Sequence, residues 1–301
     1  MNPVTYDILT QRVKQLGNLP AMPAILSTLT TALSMPAGKI DLDHISETIG
    51  YDKSLTAQVL RLANSALFRQ RGEIATVRDG VISLGLWRIR DLAFSCSLPL
   101  MFAHFSPAIG KEVFWRHALG TAVVSSKLGT TFGFGNQHDT YLCGLLHDIG
   151  VLINCILFPE DFTDVIVEAI TDRVPLEDVE QRILGFTHAE TGRILAEKWR
   201  LPMIVSDTIE FHIKPDEQPV HSEITAIVHA ADLFCQQYGL GYGYEISNEA
   251  TQSSELTWTD FCRAFPKARV FPEAEYASLI SGYVEEAKAL ADHVFFEKVA
   301  V

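Results

Sequence analysis

The stretch DTYLCGLLHDIGVLINCILF, residues 139–158, is apolar over most of its length, with His147 and Asp148 adjacent near its middle. Asp139 or Thr140 supplies a helix start and Pro159 a stop, so the pattern predicts one long buried helix. An imidazole and a carboxylate placed together inside such a helix are costly unless something pairs them. A divalent cation does so, because it takes nitrogen and oxygen ligands at once. Neighbours on a helix point about 100° apart, so a shared ion would have to sit close against it.

Helical spacing continues in both directions from this stretch. In DKSLTAQVLRLANSALF, Leu55, Val59, Leu62, Ala63 and Ala66 recur at steps of three and four, and Asp52 or Ser54 can cap the start. The piece before it begins at Asp41 or Asp43 and stops at Gly50, which gives two short helices joined by a tight turn. Ser106-Pro107 opens a long helix expected to end at Gly129. Thr187 and Glu190 form a capping-box pattern before Ile194, Leu195 and Trp199, and Ser222 starts a further helix. A last amphipathic helix begins near Pro272. With no convincing alternating run and no Asn-Gly hairpin, the expected class is all-α. Expected boundaries give an N-terminal helical part over 1–105, a helical bundle over 106–239, and a linker plus C-terminal helix over 240–301.

The chain carries 24 Lys plus Arg against 37 Asp plus Glu, a formal charge of −13, and 48% of its residues are hydrophobic. That is enough apolar material for one large or two modest cores. The acid excess argues against a broad nucleic-acid surface, which needs clustered cations. Arg61, Arg69 and Arg71 could serve a helix-turn-helix, but Asp41, Asp43, Glu47 and Asp52 share those helices. No uncharged apolar run reaches about 18 residues, so no membrane span is expected. The opening MNPVTYDILTQRVKQLG lacks a secretory h-region, which makes the cytoplasm the expected compartment. Cys96, Cys143, Cys155, Cys235 and Cys262 form no CxxC pair and read as reduced, mostly buried thiols.

Other histidines sit in surroundings like those of His147. His117 lies mid-helix among apolar neighbours, His188 in the first turn after the capping box, and His212 at the end of an apolar run. Asp232 stands in Val-His-Ala-Ala-Asp-Leu-Phe, three residues after His229. Any one of these alone is an ordinary core or helix-edge residue. Six polar residues, each with apolar helical flanks, are harder to dismiss together. His44, His104, His138, His221 and His293 read as surface or loop residues, Phe114, Trp115 and Phe132 as core, and Arg88, Arg90 and Asp91 as a solvated face.

The order His117, His147-Asp148, His188, His212, Asp232 resembles the metal-binding pattern of the HD superfamily of phosphohydrolases, in the longer form seen in HD-GYP phosphodiesterases. Leu19-Pro20-Ala21-Met22-Pro23, Asp52-Lys53-Ser54-Leu55, the run from Val59 to Phe68, and Ile82-Ser83-Leu84-Gly85 together resemble the HDOD domain, the HD-related output domain of bacterial signalling proteins. The resemblance runs from about Leu19 to Tyr238. It implies an HD-like bundle with an N-terminal helical subdomain. It also implies one or two divalent metal ions, iron, manganese, zinc or nickel, on these six residues, with Asp148 the candidate bridge. The function implied is an output module acting through a signalling protein partner, with a nucleotide as a candidate ligand and no role for nucleic acid or membrane. The alternative is a metal-dependent phosphohydrolase acting on a nucleotide or cyclic dinucleotide.

Three departures bear on that alternative. HD-GYP enzymes carry a lysine directly after His-Asp-Ile-Gly, where this chain has Val151, and a glutamate one turn before the first histidine, where it has Val113. No Gly-Tyr-Pro follows His212; Lys214-Pro215-Asp216 stands there. Loss of a phosphate-contacting lysine would cost a hydrolase about 2–4 kcal/mol of transition-state stabilisation. Arg61, Arg116 or Lys214 would have to replace it.

Overall fold

Every regular element among the described residues is helical, and none is a strand. The computed structural model describes residues 22, 24–33, 42–65, 68, 72–105, 109–133, 137–215, 220, 222–242, 261–263, 265–270 and 272–295. The chain divides into two compact units, one of Leu19–His104 with Ala289–Val301, the other including Phe105–Lys288.

The smaller unit contains α1 (Ala24–Leu33), α2 (Leu42–Gly50), α3 (Lys53–Ala63), α4 (Val77–Leu84) and α5 (Leu86–Met101). Asp52 caps α3 by accepting from the Leu55 amide at 3.0 Å. Asn64 closes the same helix: its amide nitrogen donates to the Leu60 and Ile74 carbonyls at 2.9 and 2.8 Å, and its oxygen accepts from the Ile74 amide at 2.9 Å. Helices α1, α3 and α4 all pack on α5. That crowding overturns the expectation of a solvated face at Arg88, Arg90 and Asp91. Arg90 and Asp91 are 4% and 0% exposed and pair at 2.6 Å, with the guanidinium 4.8 Å from the Trp87 ring centre. Arg88 is half-buried, its guanidinium 5.3 Å from the Phe68 ring. The Leu19–Pro23 motif, apart from Met22, and Arg69 and Arg71 lie outside the described residues.

The larger unit contains α6 (Lys111–Phe132), α7 (Gln137–Leu146), α8 (Ile149–Leu157), α9 (Pro159–Asp172), α10 (Leu176–Ile183), α11 (His188–Lys198), α12 (Met203–Phe211) and α13 (Ser222–Cys235). Past a kink within Gln236–Leu240 lies α14 (Glu273–Phe295), preceded by Pro272. Helix α6 runs past Gly129 to Phe132, because Gly133 at φ 69° supplies the left-handed cap. The expected Ser106-Pro107 start lies outside the described residues. Helix α6 packs on α7 and α13, and α11 on α8 and α12. The capping box forms as expected, with Thr187 accepting from the Glu190 amide and Glu190 from the Thr187 amide. All five cysteines are buried free thiols. The stretch His138–Leu157 is long and apolar enough to cross a membrane by composition, but 89% of its most apolar window is buried inside the protein.

Candidate metal centre

The single helix expected over 139–158 is broken in the structure. His147 and Asp148 form a turn between α7 and α8, with Asp148 at φ −100° and ψ 13°, just ahead of α8. The turn frees both side chains from the helical divergence of about 100°, so they face the same point.

Close backbone contact brings the other elements to that point. A Cβ on Gly144 would lie 2.8 Å from the Thr121 carbonyl oxygen and 2.9 Å from Ala122 Cα, so only glycine lets α7 approach α6 and its His117 so nearly. A Cβ on Gly150 would collide with the His188 carbonyl and lie 2.7 Å from the Gly192 amide nitrogen. The glycine two residues after Asp148 thereby seats α8 directly on the first turn of α11.

All six side chains singled out in the sequence are buried and meet there: His117, His147, Asp148, His188, His212 and Asp232 are 0%, 0%, 6%, 4%, 1% and 7% exposed. Asp148 lies between two histidine pairs. Its Oδ2 is 3.6 Å from His117 Nε2 and 3.3 Å from His147 Nε2, while its Oδ1 is 3.4 Å from His188 Nε2 and 3.0 Å from His212 Nε2. Asp232 Oδ1 stands 3.2 Å from His117 Nε2 and 3.8 Å from His147 Nε2. Two ligand-competent groups result, His117–His147–Asp148 and Asp148–His188–His212, with the donor atoms of each within 4.8 Å of one another.

The other ring nitrogens define the chemistry. His117 Nδ1 is 2.9 Å from the Leu240 carbonyl, His147 Nδ1 2.8 Å from that of Gly144, and His212 Nδ1 2.8 Å from that of Ile209. His188 Nδ1 is 2.7 Å from Glu180 Oε2. A carbonyl or carboxylate only accepts, so each Nδ1 carries the proton and each Nε2 of a neutral ring carries a lone pair. His117 and His147 then face each other Nε2 to Nε2 at 3.3 Å, as do His188 and His212. Opposed lone pairs at that distance need a cation between or beside them, either a proton or a metal ion. The donor set of imidazole nitrogens and carboxylate oxygens fits a divalent transition metal.

Without a metal, protons fill the need. Burial opposes charge on His147, but Asp148 beside it lifts its pKa to about 10. Burial likewise opposes charge on His188, and Glu180 overrides it, raising the pKa to about 9. His117 is raised by Asp232 against the same desolvation. For Asp148 and Asp232 burial pushes the other way, yet the surrounding imidazoles hold both carboxyls well below the usual range.

Several groups at the centre were not evident in the sequence. Glu180 on α10 is fully buried, accepts from the His188 backbone amide at 2.9 Å as well as its ring, and takes a hydrogen bond from Asn154 at 3.0 Å. Tyr242, in the segment after Gly239, donates its phenol hydrogen to Asp148 Oδ2 at 2.8 Å. Residues 243–260 of that segment lie outside the described residues. Phe114, Trp115 and Phe132 are buried as expected. His44 and His104 are exposed and His138 half-buried, while His221 and the side chain of His293 lie outside the description.

The HDOD domain family matches residues 19–215 of the chain. Over 220 residues the chain is 27% identical to an uncharacterized protein of Treponema pallidum (strain Nichols), covering 70% of this chain but only 42% of that protein. The chain thus spans less than half the length of that relative. An HDOD domain protein of unknown function from Geobacter sulfurreducens superposes with a TM-score of 0.84 at 25% identity, over 97% of this chain and 99% of the other. A candidate phosphohydrolase from Shewanella amazonensis has a TM-score of 0.72 at 22% identity, over 95% and 97% of the two chains. A candidate signal transduction protein from Marinobacter aquaeolei has 0.74 at 20%, over 97% of this chain and 66% of that one. These last two show likeness of fold alone.

Proposed function

The chain belongs to the HDOD domain family, and on that premise we propose that it is a signalling output module built around a metal centre and acting through a partner protein. The observation that carries the metal reading is the set of four Nε2 atoms opposed in pairs at 3.3 Å around one carboxylate. His117 and His147, with Asp148 Oδ2 and Asp232 Oδ1, would form a first position. His188 and His212, with Asp148 Oδ1, would form a second. Such a donor set suits iron, manganese, zinc or nickel. When bound, these ions supply Lewis acidity toward a phosphoryl oxygen and lower the pKa of a bound water.

The ligands come from α6, the α7–α8 turn, α11, the end of α12, and α13. They are brought together only by folding, so metal binding stabilises the bundle and any surface it presents. That coupling lets metal state, or a nucleotide at the centre, modulate contact with a partner. Val151 is fully buried and Val113 is 39% exposed, and neither can supply the cation or carboxylate that the resemblance ties to turnover. The second reading, a phosphohydrolase acting on a nucleotide or cyclic dinucleotide, draws on one observation: each oxygen of Asp148 faces its own histidine pair, as in a bridged two-metal site.

Metal-loaded protein assayed against a cyclic dinucleotide and a chromogenic phosphodiester separates the two. The output reading expects no turnover above the free-metal background, together with a metal-dependent rise in thermal stability. Turnover that Asp148→Ala abolishes would establish the hydrolase instead.

A further inference from the structure

After α13 the chain kinks within Gln236–Leu240, where Tyr238 (φ −100°, ψ 19°) and Gly239 (φ 84°) leave helical geometry and redirect the backbone. Three side chains or carbonyls of Gln236–Tyr242 then bond to the centre. Gln236 Nε2 donates to Asp232 Oδ1 at 2.8 Å, the Leu240 carbonyl accepts from His117 Nδ1 at 2.9 Å, and the Tyr242 hydroxyl donates to Asp148 Oδ2 at 2.8 Å. Packing fixes the segment independently. Leu240 is buried against Gly120, where a Cβ would come within 2.7 Å of its Cδ1. The Tyr242 ring stacks on Phe114 at 6.0 Å and 13°, and its centre lies 4.4 Å from that of His117.

All three bonds fall on one half of the centre. Asp232 and His117 belong to the first position, and Oδ2 is the Asp148 oxygen that faces it. His188 and His212 are held by Glu180 and the Ile209 carbonyl instead. Each position has three donors within reach of one another, and Asp232 Oδ1, 3.2 Å from His117 Nε2, would add a fourth to the first alone. Closed four-ligand sets are typical of structural metals, and three-ligand sets leave room for an exogenous ligand.

We propose that Gln236–Tyr242 is a strap that closes the first metal position, with Tyr242 its positioning residue, and leaves the second unstrapped. The inference rests on the metal reading above. In the strapped half, the phenol hydrogen bond fixes the shared carboxylate and covers its outer face, which slows ligand exchange there. In the other half, exchange is limited by Asp148, His188 and His212 alone.

The test is metal release from the full-length, zinc-saturated chain into a chromogenic chelator. The wild type is expected to release zinc in two phases. Tyr242→Phe keeps the ring stacking but loses the phenol bond. It should accelerate the slow phase by about 10- to 100-fold, the usual effect of removing a group bonded to a metal ligand, and the fast phase by less, since only Oδ1 of the shared carboxylate serves the second position. Gln236→Ala should act in the same direction. An unchanged slow phase in Tyr242→Phe, or equal acceleration of both phases, would overturn the strap while leaving the metal reading intact. A wild type that retains no zinc would overturn both together.

Discussion

Glu180 and His188 are joined twice, the carboxylate accepting from the His188 amide at 2.9 Å and from its ring Nδ1 at 2.7 Å. His188 is thereby oriented by a charge, whereas His117, His147 and His212 are oriented by neutral carbonyls. Glu180→Gln keeps the shape and removes the charge. Metal affinity should fall about 10- to 100-fold, as for other groups bonded to a metal-ligating histidine. The His188 pKa should also fall from about 9 toward 6.5, followed by NMR titration of the metal-free protein.

The contact of Gly150 with α11 makes a sharper structural prediction. Gly150→Ala drives a methyl group into the His188 backbone, where no side-chain rearrangement can relieve it. Overpacking of this kind costs about 1–3 kcal/mol, and here it also separates Asp148 from His188 and His212. Urea denaturation should show the loss of stability, and metal content should drop with it.

Acidity gives a third prediction. In the metal-free protein His147 and His188 hold their protons up to about 10 and about 9, above the ordinary 6.5. A raised folded-state pKa stabilises fully below the unfolded value and loses that contribution as pH rises through the folded one. The melting temperature of metal-free protein should therefore decline between pH 6.5 and about 10. Metal replaces those protons, so loaded protein should lack the decline. Binding itself should release protons, visible as buffer-dependent heats in calorimetry.

Asn64 supplies a control away from the centre. Asn64→Ala removes three hydrogen bonds that close α3 and tie it to Ile74. Leaving those groups unpaired should cost about 1–3 kcal/mol in chemical denaturation. Metal stoichiometry should stay at the wild-type value.

Which residues would meet was legible because histidine and aspartate are conspicuous inside apolar helices. How they meet was not. The break at His147–Asp148 leaves no glycine or proline signal between the two residues, and close packing through Gly144 and Gly150 decides it. Glu180 hides in Leu-Glu-Asp-Val-Glu-Gln-Arg-Ile among other charges, and only its place one turn after Leu176 marks it as inward-facing. Tyr242 sits between glycines that suggest a linker, and its place depends on the kink at Tyr238 and Gly239 before it. Arg90 and Asp91 look like surface charges, yet they are buried because three helices converge on α5. Helix starts with side-chain caps, at Asp52 and Thr187, followed the sequence closely, since a cap is a local interaction.

The central claim is that the four opposed histidines and two aspartates hold metal. Elemental mass spectrometry on untagged protein, beside His147→Ala and Asp148→Ala, tests it most directly. The account predicts near-stoichiometric iron, manganese, zinc or nickel in the wild type and its loss in both variants. A wild type that stays metal-free after reconstitution, or variants that retain the wild-type content, would contradict it.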